Sequence, residues 1–464
     1  MQTKYNWYFL LSISMVSALG GLLFGYDWVV IGGAKPFYEP YFGISGIPSM
    51  QGWAMSCALV GCIIGALISG VLSDQYGRKR LLILSAALFV IASIGTGSAN
   101  IFPVFIAFRI IGGIGIGLAS NLSPMYIAEI TPANVRGSFV SINQLTIVIG
   151  ILAAQFINYR IAEPVAKNAT INEILLSWNG QMGWRWMFYA CAIPALIFFI
   201  LMWFVPESPR WLAKNNSKHD KVFKILRKIG GDNYARNELL AIKQTQKPVE
   251  EKSDIKTLLQ PNILNLLVIG IVLAAFQQWC GINVIFNYAQ EVFAAAGYAV
   301  TDILFNIVIT GSVNLVFTFV GMYMVDKLGR KGLLLIGSGG LAIIYAIVGT
   351  MYYIHIQGLP LLIFVVTAIA VYATTLAPVT WVVLSEIFPN RIRGRAMSIS
   401  TIALWIASFL LTYSFPILKK YLNASGTFWL YGFICVAGFI FIFKKLIETK
   451  NKSLEDIEKQ LTGN

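Results

Sequence analysis

The chain has 464 residues and a formal net charge of +14, yet 57% of its residues are hydrophobic and only 12% are charged. An average soluble domain carries about 25% charged residues, so this composition excludes a soluble globular protein. The positive charge does not indicate a nucleic-acid-binding surface, because most of the chain would lie in lipid. The five cysteines fall inside apolar runs without metal-ligand spacing, so we interpret them as packing residues.

Apolar segments long enough to cross a bilayer recur along the whole sequence. The predicted membrane spans are 7–33, 51–73, 80–100, 103–127, 137–159, 184–205, 262–288, 301–325, 332–354, 359–384, 395–417 and 424–446. With both termini in the cytoplasm, 28 of the 35 lysine and arginine residues lie on the cytoplasmic side. The positive-inside rule therefore predicts this orientation of an all-α membrane protein with twelve transmembrane helices.

Two sequence motifs occur twice. SDQYGRKR at 73–80 matches VDKLGRKG at 325–332, and EITPANVRG at 129–137 matches EIFPNRIRG at 386–394. The copies follow spans 2 and 8 and spans 4 and 10, which indicates two parallel six-helix halves. The predicted divisions are an N-terminal six-helix half at 1–205, cytoplasmic amphipathic helices at 206–260, a C-terminal six-helix half at 261–446 and a cytoplasmic tail at 447–464.

The polar segment at 206–260 has two interpretations. It is either a plain tether between the halves or a set of short helices lying on the membrane surface. Apolar residues at helical spacing favour the helices, because a flexible tether needs no apolar stripe. These residues are Val222, Ile225, Leu226 and Ile229.

Charged residues are rare within the predicted spans, where an ion is costly unless it is paired or faces water, and Asp27 and Arg109 stand out among them. Asp27 lies far along the outward-running span 1, and Arg109 lies near the start of the inward-running span 4, so both are predicted at a similar depth. A carboxylate beside an arginine is held ionised, and protonation cancels the attraction. The pair is therefore either structural or a proton-coupling device. The two histidines, His219 and His355, are predicted outside the spans and offer no buried relay.

Amide side chains inside the spans are candidates for binding a neutral polyhydroxyl ligand, since an amide both donates and accepts hydrogen bonds. They are Gln144, Gln155, Gln277, Gln278, Asn283, Asn287 and Asn314. Gln278 and Asn283 point about 140° apart on a straight helix, so both face one cavity only if span 7 bends, as Gly281 between them permits. Trp381 and Trp405 are either packing residues or ring faces for a sugar, and Pro378 favours a kink in span 10.

Eight motifs taken together resemble the sugar porter family of the major facilitator superfamily. Two of them, SDQYGRKR at 73–80 and VDKLGRK at 325–331, are called the GRK loops below. The others are GGLLFGYDWVVIGGA at 20–34, RIIGGIGIGLASNLSPMYIAEITP at 109–132, PESPRWL at 206–212, QQWCGIN at 277–283, PVTWVVLSEIFPNRIRG at 378–394 and ETK at 448–450. The resemblance implies that Asp27 is the proton-coupling aspartate and Arg109 its partner. It also implies that the sugar contacts are Gln144, Gln277, Gln278, Asn283, Asn314, Trp381 and Trp405. Two departures from the family pattern lie near the implied sugar site, namely Ala377 where glycine is usual and Asn287 where a tyrosine is usual.

A set of acidic and basic residues recurs on the predicted cytoplasmic loops of both halves. The set is Asp74, Arg78, Glu129, Arg136, Asp326, Arg330, Glu386 and Arg393. The positive-inside rule explains the basic members but not the repeated acids. The family resemblance implies a cytoplasmic gate whose ion pairs cross between the halves and break when the inner side opens.

We therefore predict a proton-coupled symporter of a xylose- or glucose-like aldose that works by alternating access. A facilitator without proton coupling is the first alternative, and a membrane sugar sensor and a drug exporter are less favoured. We expect no enzymatic activity, cofactor, metal site or nucleotide loop, and we interpret GIGIG at 113–117 as close helix packing. The expected partners are a monosaccharide, a proton and the lipid bilayer, for a monomer in a bacterial inner membrane.

Overall fold

The computed structural model describes the chain with a few short gaps. The described residues are 5–132, 135–166, 169–213, 219–245, 260–295, 297, 300–388, 393–448 and 450. Their regular elements are helices. The helices of the first part are α1 (Trp7–Tyr41), α2 (Pro48–Tyr76), α3 (Arg78–Ser98), α4 (Phe102–Ile130), α5 (Arg136–Ile161), α6 (Ile171–Leu176), α7 (Trp184–Phe204), α8 (Pro209–Ala213) and α9 (His219–Thr245).

The second part of the chain contains eight further helices within the described ranges. They are α10 (Pro261–Trp279), α11 (Ile282–Asn287), α12 (Ala289–Ala295), α13 (Val300–Leu328), α14 (Arg330–Tyr353), α15 (Leu359–Thr374), α16 (Leu376–Ile387) and α17 (Arg393–Lys445). A single-turn π-helix at Asn179–Gly183 precedes α7.

Eleven helical segments of the described chain are long and apolar enough to cross a membrane, and one of them has 51 residues. A continuous helix of that length would measure about 75 Å, more than twice the thickness of the hydrocarbon core. Asn423, with φ 56° and ψ −177°, interrupts this long helix, α17. The interruption divides it into two spans, and the prediction of a twelve-helix, all-α membrane protein is confirmed.

Both predicted helix bends are present. Gly281 stands between α10 and α11 with φ 84°, in the left-handed region that favours glycine. Thr375, with φ −116° and ψ −83°, separates α15 from α16. The second break follows from Pro378, because proline lacks the N–H that would bond to the carbonyl of residue 374 and its ring crowds that carbonyl.

The predicted apolar stripe lies on α9, where Val222, Leu226 and Ile229 are buried. The backbone N–H of Asn6 donates to the Ile229 carbonyl at 2.8 Å. The helix therefore packs against the beginning of α1. The position of this segment relative to the membrane stays a prediction.

The chain divides into two compact units. The first unit comprises Met1–Trp28, Val60–Ala154 and Arg185–Lys252, and the second comprises Val29–Leu59, Gln155–Trp184 and Ser253–Asn464. The second unit thus includes the C-terminal parts of α1 and α5, which belong to the first predicted half. The division predicted from the sequence repeats stays a prediction.

Small residues bring the helices of the first unit together. A methyl group on Gly117 of α4 would overlap the carbonyl of Cys62 in α2, and one on Gly115 would lie 3.2 Å from the carbonyl of Ser85 in α3. Glycines that allow two backbones to approach are typical of helix contacts in membranes. The interpretation of GIGIG as close helix packing is confirmed.

Substitution of Gly117 by alanine should destabilise the protein by about 1 to 3 kcal/mol, because the added methyl group has no space against the α2 backbone. Gly70 of α2 is the matched control, since its added methyl group meets open space. Thermal melting in detergent should show a lower Tm for Gly117→Ala than for Gly70→Ala. Equal melting temperatures would contradict the packing argument.

Candidate functional site

Asp27 and Arg109, the charged residues that stood out within the predicted spans, are in contact. Arg109 Nη1 of α4 donates to Asp27 Oδ1 of α1 at 2.7 Å, and the two residues are 3% and 6% exposed. The second carboxylate oxygen, Asp27 Oδ2, is buried and has no hydrogen-bond partner among the described residues. The ion pair therefore retains one acceptor site that is free to take a proton.

Helix α7 completes the surroundings of this pair. The Tyr26 hydroxyl, next to Asp27 in the chain, donates to the Met187 carbonyl at 3.4 Å. Cys191, one turn further along α7, is buried and is an electrostatic neighbour of both Asp27 and Arg109. Three helices thus enclose the charges, so the pair lies in a low-dielectric environment where its electrostatic interaction is strong.

Three of the predicted sugar-contacting amides form one hydrogen-bonded chain in the second unit. Asn283 donates to Gln278 Oε1, and Gln278 donates to Gln277 Oε1 at 3.3 Å. Gln277 in turn donates to the Ala377 carbonyl at 3.4 Å. We call Gln277, Gln278 and Asn283 the amide chain. It joins α10, α11 and α16 through its hydrogen bonds, and its three side chains are buried.

The break at Gly281 explains this arrangement. Gln278 is near the end of α10 and Asn283 is near the start of α11, on a new helix axis. On one straight helix these side chains would point about 140° apart. The bend instead brings their amides within hydrogen-bonding distance, as the spacing of the two residues predicts.

The remaining predicted sugar-contacting residues are distributed over both units. Asn314 on α13 and Trp405 on α17 are buried, whereas Trp381 on α16 is 36% exposed. All three belong to the second unit together with the amide chain. Gln144 belongs to the first unit and lies half-buried on α5. Their contact with a sugar stays a prediction.

The repeated loop charges pair within each unit. In the first unit Arg78 contacts Asp74 at 3.2 Å and Glu129 at 3.0 Å. In the second unit Arg330 contacts Glu386 at 3.2 Å. The contacts with Glu129 and Glu386 each join the arginine of a GRK loop to the acid at the end of the fourth span of its half. Ion pairs that cross between the halves stay a prediction.

Arg136, Asp326 and Arg393 complete the predicted gate set. Arg136 begins α5 and has Arg210 and Glu238 as electrostatic neighbours. The side chains of Asp326 and Arg393 lie outside the described residues.

Two glutamates that the sequence analysis did not single out hold the GRK loops. Glu207 Oε1 accepts the backbone N–H groups of Arg78 and Lys79 at 3.0 and 3.1 Å. Glu448 accepts those of Arg330 and Lys331 at 2.9 and 3.0 Å. These N–H groups begin α3 and α14, so each carboxylate satisfies unpaired donors and opposes the positive end of a helix dipole.

Each of these contacts needs the glycine of its loop. Gly77 and Gly329 have φ 95° and 82°, and a methyl group on either would meet the carboxylate of its glutamate. Burial raises the pKa of Glu448, but backbone hydrogen bonds, with Lys450 among the donors, bring its pKa below the ordinary value. A sequence signal was available, because each glutamate follows the last helix of its half by three residues.

A second buried ion pair, also missed, lies in the C-terminal part of α1. Lys35 Nζ contacts Glu39 Oε1 at 3.2 Å, and Gln51 of α2 donates to Glu39 Oε2 at 2.7 Å. The Lys35 ammonium also lies 5.0 Å from the ring centroid of Tyr288, which follows α11. We call these four residues the Lys35 cluster. The spacing of four residues on a helix was a sequence signal for the pair.

The fold and these sites define a class. Twelve apolar helices with a buried carboxylate–arginine pair, a buried amide chain and a repeated loop motif are those of a polytopic transporter. The sequence matches the family described as "Sugar (and other) transporter" over residues 13–461.

Curated relatives support the same class. The chain is 38% identical to the arabinose-proton symporter of Bacillus subtilis strain 168, with 97% of this chain and 95% of the relative covered. It is 38% identical to the D-xylose-proton symporter of Escherichia coli strain K12, with 99% and 97% covered. The inward-open structure of the xylose transporter XylE from E. coli matches with a TM-score of 0.84 at 37% identity and covers 97% of this chain and 99% of that one.

The chain therefore belongs to the sugar transporter family, within the major facilitator superfamily. It is a multi-pass membrane protein and a transporter rather than an enzyme, because that is the nature of the family.

Removal of one member of the buried pair Lys35–Glu39 should cost about 3 to 5 kcal/mol of stability, because it leaves the other charge uncompensated. Glu39→Gln and Lys35→Met should each lower Tm in detergent. The double variant should lose less stability than the sum of the single variants. Additive losses would contradict a direct interaction between the two side chains.

Proposed function

We propose that this protein is a proton-coupled symporter of an aldose monosaccharide. One observation carries the proposal: the buried Asp27–Arg109 pair has a carboxylate oxygen without a hydrogen-bond partner in the described structure. The arabinose-proton and D-xylose-proton symporters among the relatives support the same function.

The pair couples a proton to a conformational change through its charge. With Asp27 ionised the pair is neutral, and the attraction holds α1 against α4. Protonation at Oδ2 leaves Arg109 as a single positive charge without its counter-charge. A buried charge that loses its partner is costly, so the protonated protein gains by rearranging the helices around Arg109.

The amide chain is the proposed sugar site. Gln277, Gln278 and Asn283 are neutral, and each offers both donors and an acceptor to sugar hydroxyls. In this structure they bond to one another and to the Ala377 carbonyl, so these buried polar atoms have partners. The exchange of these bonds for sugar hydroxyls has a small net free energy, as reversible binding in a transporter requires.

Four further residues belong to the proposed site. Asn314 adds an amide, and the rings of Trp381 and Trp405 offer apolar faces to the C–H face of a sugar. Gln144 on α5 is the fourth proposed sugar contact. Sugar and proton favour the same conformational states of the protein. Binding of either ligand therefore strengthens binding of the other.

The repeated loop charges are the proposed cytoplasmic gate. Asp74, Arg78, Glu129 and Arg136 serve the first half, and Asp326, Arg330, Glu386 and Arg393 serve the second half. Glu207 and Glu448 hold the two GRK loops in the shape that presents these charges. We further propose that the protein acts as a monomer in a bacterial inner membrane. Both of its termini then lie in the cytoplasm.

Replacement of Asp27 by asparagine should abolish gradient-driven accumulation and preserve exchange of sugar between equal pools, because asparagine retains the polar site but carries no proton. Uptake of labelled xylose, arabinose and glucose into proteoliposomes, with and without an inward proton gradient, measures both. The better accumulated sugar identifies the substrate.

Asp302→Asn is the matched control, since Asp302 is an exposed carboxylate at the beginning of α13. It should leave accumulation unchanged. Wild-type protein that only equilibrates sugar and ignores the gradient would instead be a facilitator, with a structural Asp27–Arg109 pair.

Charge removal at the gate should slow net transport more than it weakens sugar binding. Glu386→Gln breaks the contact with Arg330 in the second unit, and Arg136→Gln removes a charge in the first unit. Net uptake should fall about 5- to 150-fold, the range of a coupling free energy of roughly 1 to 3 kcal/mol. Sugar affinity, measured by isothermal titration, should change less. Equal loss of uptake and affinity would count against a gate.

A further inference from the structure

The aromatic ring of Phe188 lies against the proton site from α7. Its centroid is 5.7 Å from Cζ of Arg109, within the range of a cation–π interaction. Phe188 is 1% exposed, so its ring and the guanidinium meet in a buried environment. The same guanidinium is the one that donates to Asp27 at 2.7 Å. One arginine thus contacts a carboxylate and an aromatic ring together.

A second ring sets the orientation of the first. Phe105 and Phe188 are in edge-to-face contact, with centroids 5.8 Å apart and an interplanar angle of 81°. Phe105 is fully buried and stands one turn before Arg109 on α4. The arginine and the aromatic pair therefore form one packed unit between α4 and α7.

We propose that Phe188 is a positioning residue of the proton site: its ring face stabilises the Arg109 guanidinium in the state in which Asp27 carries the proton. The inference rests on the proposed proton symport and adds a residue that tunes it.

The reason is the change of net charge. While Asp27 is ionised, the negative ring face attracts the guanidinium and repels the nearby carboxylate, and the two effects partly cancel. On protonation the carboxylate charge disappears and the attraction for Arg109 remains. The ring therefore favours the protonated state. Among the described residues, Tyr26 on α1 and Cys191 on α7 are further titratable neighbours of Asp27, and both are buried. A phenol and a thiol are uncharged near neutral pH and supply no compensating charge.

The test weakens the ring face without changing the size of the side chain. Incorporation of 3,4,5-trifluorophenylalanine at position 188 withdraws electron density from the ring. Sugar uptake into proteoliposomes is driven by a potassium diffusion potential, negative inside, and measured against external pH with equal pH on both sides. The pH of half-maximal uptake should move to lower pH by about 0.5 unit, and Phe188→Leu should move it by about 0.5 to 1 unit.

Two controls separate tuning from packing. Phe188→Tyr keeps an aromatic face and should restore the wild-type pH profile. Trifluorophenylalanine at Phe198, a buried ring on the same helix, should leave the profile unchanged. An unchanged profile for the fluorinated position 188, an equal shift at position 198, or a shift to higher pH overturns the inference.

Failure of the proposed function gives a different result. Wild-type protein that shows no potential-driven uptake, or an Asp27→Asn variant that retains it, overturns proton symport itself before any substitution at Phe188 is compared. Wild-type symport with an Asp27-dependent pH profile that does not respond to fluorination at position 188 overturns only the role of the ring.

Discussion

The free-energy cost of a charge without a counter-charge in an apolar interior is the constraint on which this transporter depends. It explains why Arg109 lies against both Asp27 and the face of Phe188, and why Lys35 lies against Glu39 and Tyr288. The cost also supplies the proposed coupling. A proton that neutralises Asp27 removes the compensation for Arg109, and helix packing is the means by which the protein can restore it.

The same constraint applies to the backbone at the two helix breaks. A broken helix exposes N–H and C=O groups, which membrane proteins tolerate where the broken segment is buried in protein or lines a cavity. The break at Gly281 lies beside the amide chain of Gln278 and Asn283, and the break at Thr375 places the Ala377 carbonyl as the acceptor for Gln277. Departure from regular helix thus creates the polar groups of the proposed sugar site.

The duplicated loops follow one physical design. In each half a glycine with positive φ begins a helix, and a glutamate from a distant part of the chain accepts its first N–H groups. The sequence repeats predicted the paired arginines and acids, but Glu207 and Glu448 were missed because the flanking residues differ between their motifs. Their equivalent spacing from the preceding helix was the available signal.

The sequence by itself determined the membrane class, the twelve spans and the positions of both bends, because length, hydropathy and the chemistry of glycine and proline are local properties. It also indicated that Asp27 and Arg109 lie at one depth. Tertiary structure decided which side chains meet: that Phe188 faces Arg109, and that Glu207 reaches Arg78. Each residue turns a helix by about 100°, so contact between distant helices depends on their rotation and packing, which no local pattern specifies.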